Sequence, residues 1–234
     1  MKLIIIFSMI MIANSIIGQV VSDKKESIQG FSEEQISQKD STGSHSNKNA
    51  GVVFSNFPIH PEDYAIDIRM MMTKVIEKYG YEEWRLVVLT SELHGHLGVY
   101  AIIGAKMGLY AREILNAGHD ELIIITNAGS KPPISCLNDG LQVSTGATLG
   151  HGLISIREVN TAGPVADFTC GGKTIRIALK EIIYKEIEGS IKEAIKVSGG
   201  LTAEYWQRIR ELALDIWLEY DRNEIFEIEE VKGN

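Results

Sequence analysis

Apolar and polar positions change their spacing several times beyond residue 55, and each change predicts a different element. Apolar residues near helical spacing predict helices over residues 61–78, 97–115 and 136–145. Short runs rich in β-branched residues predict strands over residues 85–90, 121–126, 153–159, 165–169 and 174–179. No internal repeat is visible, so we expect one α+β domain over residues 55–200.

The pattern turns helical again near the C-terminus, and we expect a helical extension over residues 201–234. Thr202 is a typical N-cap residue. The positions that follow form one apolar stripe, made of Trp206, Ile209, Ala213, Ile216, Trp217 and Tyr220. Such a stripe needs cover, either from the chain's own domain, which we prefer, or from a second copy in a homodimer.

The N-terminal segment has the pattern of an export signal. Lys2 precedes an apolar run at residues 3–13 that is too short to span a membrane, and small residues follow. We therefore expect a signal peptide over residues 1–18, a polar disordered linker over 19–54, and a periplasmic or secreted product with no stable membrane span after cleavage. The alternative is a membrane anchor, which Asn14 and Ser15 would interrupt.

Composition excludes two further classes. The net charge is -8 and no basic run is present, which argues against a nucleic-acid partner. Two cysteines are too few for a disulfide framework or a paired zinc ribbon. Cys136 and Cys170 would form one disulfide in an oxidising compartment; the other interpretation is a free Cys136 and a structural Cys170.

Residues 92–98 hold two histidines, His94 and His96, between a predicted strand and a predicted helix. In an extended strand end, residues two apart face the same way, so both imidazoles would point into one metal site. The N-terminus of the following helix would keep them neutral. The plainer interpretation is that one histidine caps the helix and the other forms hydrogen bonds in the core.

Two later segments also carry chemistry. Cys136 lies at a predicted helix start, where the helix dipole would favour a thiolate, and Asp139 follows one turn later. The loop at residues 144–152 is rich in Gly and Thr, and Thr145, Gly146 and Thr148 would present backbone donors and hydroxyls to a bound small molecule or anion. The simpler alternatives are an inert buried cysteine and a loop that only turns a helix into a strand.

Taken together, H-G-H-L-G-V-Y-A-I-I-G-A-K-M-G and C-L-N-D-G-L-Q-V-S-T-G-A-T-L-G-H-G resemble the FmdE family, named for one component of formylmethanofuran dehydrogenase. The resemblance covers about residues 64–179 and implies an α+β fold with a mixed sheet. The sequence departs from the family pattern at Gly98 and Ala147, where the family has Cys, and at Lys106, where it has Arg. His151 stands where the family has Lys, and the C-terminal zinc ribbon of some members is absent.

The resemblance implies a metal site formed by His94, His96 and Cys136, with His151 or Asp139 nearby. Zinc is the expected ion, and copper, nickel or cobalt would also suit these ligands. Cys136, Asp139 and His151 are the candidate catalytic residues. Three classes stay open: a metal-dependent enzyme acting on a small molecule, a metal-binding or delivery protein, and a ligand-binding accessory module.

Overall fold

The structure is a computed structural model that describes Phe54 and residues 57–232. The predicted signal peptide at residues 1–18 lies outside the described residues, and so does the predicted linker at 19–54 except for Phe54. Within the described part of the chain, no helix has the length and apolar character needed to cross a membrane.

The chain divides into two compact units, Met1–Arg69 and Met70–Asn234. In the first unit, Pro61–Asp63 form one turn of 3₁₀ helix, and the Tyr64 hydroxyl donates a hydrogen bond to the Pro58 carbonyl at 2.6 Å. Helix α1, Ile66–Tyr79, begins in the first unit and ends in the second.

Helices make up most of the second unit and surround one buried helix. Residues 99–109 of α3 are all buried. A single 3₁₀ turn, Ile134–Cys136, leads into α4. The helices that follow α1 are α2 (Tyr81–His94), α3 (Val99–Leu115), α4 (Leu137–Thr145), α5 (Glu181–Val197) and α6 (Ala203–Glu219).

A five-stranded mixed sheet completes the unit, in the order β2-β1-β3-β4-β5. Strands β1 and β2 are parallel, and the other neighbouring pairs are antiparallel. Ile124 lies opposite Phe168, which lies opposite Ile175, and this row is buried on one face of the sheet. The strands are β1 (Ile123–Thr126), β2 (Ile154–Ile156), β3 (Val165–Cys170), β4 (Lys173–Leu179) and β5 (Phe226–Glu230).

Helices α3 and α4 pack with their backbones almost in contact, because each contributes a glycine. A Cβ on Gly104 would overlap the Leu137 carbonyl oxygen, and a Cβ on Gly140 would overlap the Ala101 carbonyl oxygen. These close contacts fix the position of the start of α4 along the first part of α3.

A buried ionic group ties α2 to α3. Lys106 Nζ lies 2.6 Å from Glu83 Oε1, and both side chains are at most 1% exposed. Arg222, in the turn after α6, donates to the other oxygen of Glu83 at 2.9 Å. Since a buried charge without a partner is costly, this group helps to fix the position of α2.

Most of the predicted elements are present, and the α+β class is confirmed. The strand expected at residues 85–90 is wrong, because these residues lie inside α2. The β-branched run suggested a strand, but the buried side chains follow a helical period that extends beyond it on the N-terminal side: Glu83, Trp84, Leu86, Val87 and Thr90.

Two elements were not predicted, and one of them changes the description of the C-terminal segment. Helix α5 was missed although Ile187, Ile191 and Ala194 are buried at helical spacing. Strand β5 lies in the segment expected to be a helical extension and pairs with β4. Part of the apolar stripe of α6 is covered by its own chain, since Ile209, Ala213 and Ile216 are buried and Trp217, 1% exposed, stacks on Trp84 with ring centroids 4.8 Å apart. Trp206, at the start of the stripe, is exposed.

Candidate functional site

Both histidines of the H-G-H segment lie at the end of helix α2, not at the end of a strand. His94 is the last residue of α2, and Gly95 follows in the left-handed conformation with φ 80°, which ends the helix. His96 lies in the turn beyond, and the two imidazole ring centroids are 4.3 Å apart. The two rings therefore lie close together, as predicted. The cause is the turn at the C-terminus of α2, which the left-handed Gly95 makes, and not the alternation of side chains along a strand.

His94 is held in one orientation by a carboxylate. Its Nδ1 lies 2.7 Å from Asp139 Oδ2, and the His94 side chain is 9% exposed. The other ring nitrogen, Nε2, is buried and has no hydrogen-bond partner among the described residues. A histidine whose Nδ1 is bonded to a carboxylate and whose Nε2 is left open has the usual arrangement of a metal ligand.

The His94 ring packs directly against Gly98. A Cβ at this position would lie 2.7 Å from both Nε2 and Cδ2 of His94. Any side chain at residue 98 would therefore move the His94 ring. The absence of a side chain at Gly98 therefore lets the His94 ring lie where its Nδ1 reaches Asp139.

His96 is exposed and held neutral, though the cause differs from the expected one. Burial of part of the ring lowers its pKa, and the neighbouring His94 lowers it further. The dipole of the following helix was the expected cause, but desolvation and a second imidazole account for the shift. A neutral imidazole is the form that coordinates a metal ion.

Cys136 lies at the N-cap of α4, as predicted, but its thiol is not activated. Burial raises the pKa of Cys136, and the charge of Asp139 raises it further. The expected lowering by the helix dipole is therefore wrong, because desolvation and a neighbouring carboxylate both disfavour the thiolate. Cys136 and Cys170 are both free thiols.

Two aromatic residues of α6 belong to this site, and sequence reasoning had assigned one of them, Trp206, only to a packing stripe. The Trp206 ring packs edge-on against His96, with ring centroids 5.0 Å apart. Tyr205 packs against Trp206 at 5.0 Å, and burial raises the pKa of its hydroxyl. The Tyr-Trp pair after a good N-cap residue was a visible signal, but nothing in the sequence connects it to His96.

The Gly and Thr-rich loop lies at the opposite end of α4, and its polar groups are already paired. The Thr145 hydroxyl donates to the Leu141 carbonyl at 2.6 Å and accepts a hydrogen bond from the Ala147 N–H at 3.1 Å. Other N–H groups also donate within the loop or to α4, namely those of Thr148, Leu149 and His151. These donors, expected to serve a ligand at Thr145, Gly146 and Thr148, are used to shape the loop.

His151 does not join the H-G-H segment. Its Nδ1 lies 3.2 Å from the carbonyl oxygen of Gly146, the residue that caps the C-terminus of α4. Helix α4 has nine residues, so the whole helix, about 13 Å long, separates His151 from Cys136. Of the two residues expected near the histidines, Asp139 contacts His94 and His151 lies at the other end of α4. His119 packs against Gly146 instead, beside His151.

The residue types near the start of α4 are ones that bind metal ions, although their side chains are not arranged around a common metal position. Among the described residues, no three His, Cys, Asp or Glu side chains are grouped so as to hold a metal. His94 Nε2 is nevertheless a buried nitrogen without a hydrogen-bond partner among the described residues. Cys136 lies one helical turn from Asp139, which contacts His94. Two imidazoles and one thiol form a donor set that suits zinc.

Comparison with known proteins places the chain in a family. Residues 93–227 match the family model described as FmdE, Molybdenum formylmethanofuran dehydrogenase operon. A stretch of 74 residues is 32% identical to a probable S-adenosyl-L-methionine-binding protein of Archaeoglobus fulgidus, and covers 29% of this chain and 19% of that protein. This chain therefore spans a small part of that relative.

A solved structure shows a similar, partial likeness. It is a tungsten formylmethanofuran dehydrogenase FmdE-like protein from Syntrophus aciditrophicus, with 22% identity and a TM-score of 0.41, over 68% of this chain and 76% of that one. The family model extends beyond the quoted motifs to residue 227 and so includes α6. Because the matched residues make up more than half of the sequence, the chain belongs to the FmdE family.

Proposed function

We propose that this FmdE-family protein is a metal-binding accessory protein whose transition-metal site is built on His94 and His96, with zinc as the ion. The observation that carries the proposal is the His94 ring, with Nδ1 held by Asp139 and Nε2 buried without a partner among the described residues. A buried polar atom without a partner costs free energy, so its retention suggests a ligand that the fold is built to receive.

Cys136 is the proposed third protein ligand. Its thiol is protonated when no metal is present, since burial and Asp139 raise its pKa. A coordinated thiol loses its proton, so metal binding here would release one proton from Cys136. Asp139 is a positioning residue in this proposal, because its carboxylate orients the His94 ring.

A bound zinc ion supplies Lewis acidity at an open coordination position. The residues of this chain would do the rest: Asp139 orients His94, and Trp206 limits solvent access on the side of His96. Action on a small molecule is part of the proposal only as binding, since a general acid or base with free access is not identified among these groups.

The deciding measurement is metal content by mass spectrometry on protein purified without chelator or nickel resin. We expect one zinc per chain in the wild type and strongly reduced content in His94→Ala, His96→Ala and Cys136→Ser. His119→Ala and His151→Ala are matched controls at the other end of α4 and should keep full content. A wild type without stoichiometric metal, or ligand variants that retain it, would reject the proposal.

A ligand-binding module without metal is the second candidate function. It is favoured by the absence of a three-donor group among the described residues and by the aromatic rings beside His96. In that case metal content would be negligible in all variants, while replacement of Trp206 would still affect the binding of an organic ligand.

We also propose that the mature protein is periplasmic or secreted, from the apolar run at residues 3–13 and the small residues after it. The mass of the protein recovered from an exporting host tests this. Loss of about the first 18 residues supports export, and an intact N-terminus in the cytoplasmic fraction contradicts it.

A further inference from the structure

Beside the proposed metal position lies an aromatic surface that the metal does not require. Trp206 packs edge-on against His96, Tyr205 packs edge-on against Trp206, and His96 lies against His94. These residues come from two elements far apart in sequence, the end of α2 and the first turn of α6. The fold therefore brings a run of ring faces to one place.

Trp206 is placed differently from the other two tryptophans of the chain. Trp84 and Trp217 are 0% and 1% exposed and stack on each other in the core. Trp206 is 45% exposed although it follows Tyr205, which is 7% exposed. Part of the Trp206 indole contacts His96, and the rest is exposed to solvent. Trp206 therefore has an uncovered ring surface next to the site.

We propose that Trp206 is a specificity-determining residue, which recognises the flat aromatic ring of an organic ligand bound next to His96. This inference concerns the same site as the proposed function but does not depend on the metal. Aromatic rings attract one another in edge-on and offset-stacked arrangements beyond the effect of the area they bury, so Trp206 favours a planar ring over a saturated one.

The charge of the site restricts the ligand further. Asp139, 36% exposed, places a carboxylate beside His94. A planar ring that is neutral or cationic therefore suits the site better than an aromatic anion, which the Asp139 carboxylate would repel.

The test compares benzimidazole with imidazole, which carry the same donor atoms on a large and a small ring face. Dissociation constants are measured by calorimetry on the full chain, both metal-free and loaded with zinc. We expect benzimidazole to bind about fivefold more tightly than imidazole to the wild type in both forms, from ring contact alone. Benzoate, a flat anion, should bind more weakly than benzimidazole to the metal-free form.

Three variants separate ring recognition from simple apolar contact. Trp206→Phe keeps a ring and should keep most of the preference, while Trp206→Leu and Trp206→Ala should bring the ratio close to one. Ile182→Ala removes an apolar side chain that is 76% exposed at the start of α5, and this control should keep the wild-type ratio. Circular dichroism and zinc content of each variant show whether the fold and the metal are intact.

The outcomes distinguish this inference from the proposed function. A wild type that does not prefer benzimidazole, or Trp206→Leu with an unchanged ratio, would overturn the role of Trp206 even if zinc is bound. A preference that depends on Trp206 in a protein without stoichiometric zinc would support this inference and reject the metal site.

Discussion

The two ends of helix α4 carry two of the segments that the sequence marks as functional, and they differ in whether their polar groups have partners. At the start of the helix, Asp139 orients His94, whose Nε2 is buried without a partner among the described residues. At the other end, the Thr145 hydroxyl and the nearby N–H groups bond to the protein itself. An unsatisfied buried atom points to a ligand, whereas a satisfied loop is explained by its own stability.

The two ends of α4 keep their different surroundings only if α4 is packed tightly against α3. Gly140→Ala would place a Cβ on the Ala101 carbonyl oxygen, and we expect it to destabilise the protein by about 3 kcal/mol in urea unfolding. Gly189→Ala is the control, because Gly189 lies in α5 with nothing near its Cβ position, and should stabilise by up to about 1 kcal/mol. Equal unfolding midpoints for the two variants would show that the helices are not in close contact.

The start of α4 should control metal affinity. Asp139→Asn removes the charge that orients His94, and we expect zinc affinity to fall by about 10- to 100-fold in a chelator competition. Thr148→Ala, at the other end of the helix, should leave affinity unchanged. If both variants bind zinc equally well, the distinction between the two ends fails.

The far end of α4 should control stability and not binding. Thr145→Val keeps the shape of the side chain but loses the hydrogen bond to Leu141 and leaves the Ala147 N–H without its acceptor. We expect a loss of about 1 to 2 kcal/mol in unfolding free energy, with zinc content as in the wild type. Reduced zinc content with normal stability would instead make Thr145 part of a binding site.

Asp167, on strand β3, is another buried polar group whose hydrogen-bond partners are in the protein itself. Burial raises the pKa of Asp167, but hydrogen bonds from Arg176 and Arg157 outweigh burial and hold the pKa below its ordinary value. The stabilisation is therefore present above the ordinary Asp range and is lost as the pH falls through the lowered pKa. Asp167→Asn should cost on the order of 1 kcal/mol at neutral pH.

The pH dependence makes this last prediction specific. Urea unfolding of wild type and Asp167→Asn should differ at neutral pH and converge as the pH falls below the usual Asp range. A gap of constant size across that range would mean that Asp167 stabilises by packing and not by its charge.

The prediction of helix and strand from sequence failed where a local preference opposed a longer period. At residues 85–90 the β-branched run predicts a strand, yet Trp84, Leu86 and Val87 are all buried on one face of a helix. Burial of that face on the core outweighs the weak intrinsic preference of the β-branched residues. Strand β5 was missed for the opposite reason, since most of its residues are exposed and only pairing with β4 makes it a strand.

The site was predicted in part. His94, His96, Cys136 and Asp139 are marked by their types and by two short motifs, and the structure brings them to the start of α4. His151 was grouped with them wrongly, because a loop after a helix can turn to either side and its hydrogen bond to Gly146 keeps it at the C-terminal end. Trp206 was missed as a site residue because contact between α6 and the end of α2 is long-range.

The sequence by itself determined the α+β class, the family, and the residue types available for chemistry. These depend on the local spacing of apolar residues and on short motifs, both of which are visible in the unfolded chain. Only the tertiary structure decided which of these residues meet, and in which protonation state. Close packing at Gly104 and Gly140 sets where α4 begins, and burial beside Asp139 keeps the Cys136 thiol protonated. Both effects depend on groups distant in the chain, because desolvation and overlap are properties of the packed interior and not of any short segment.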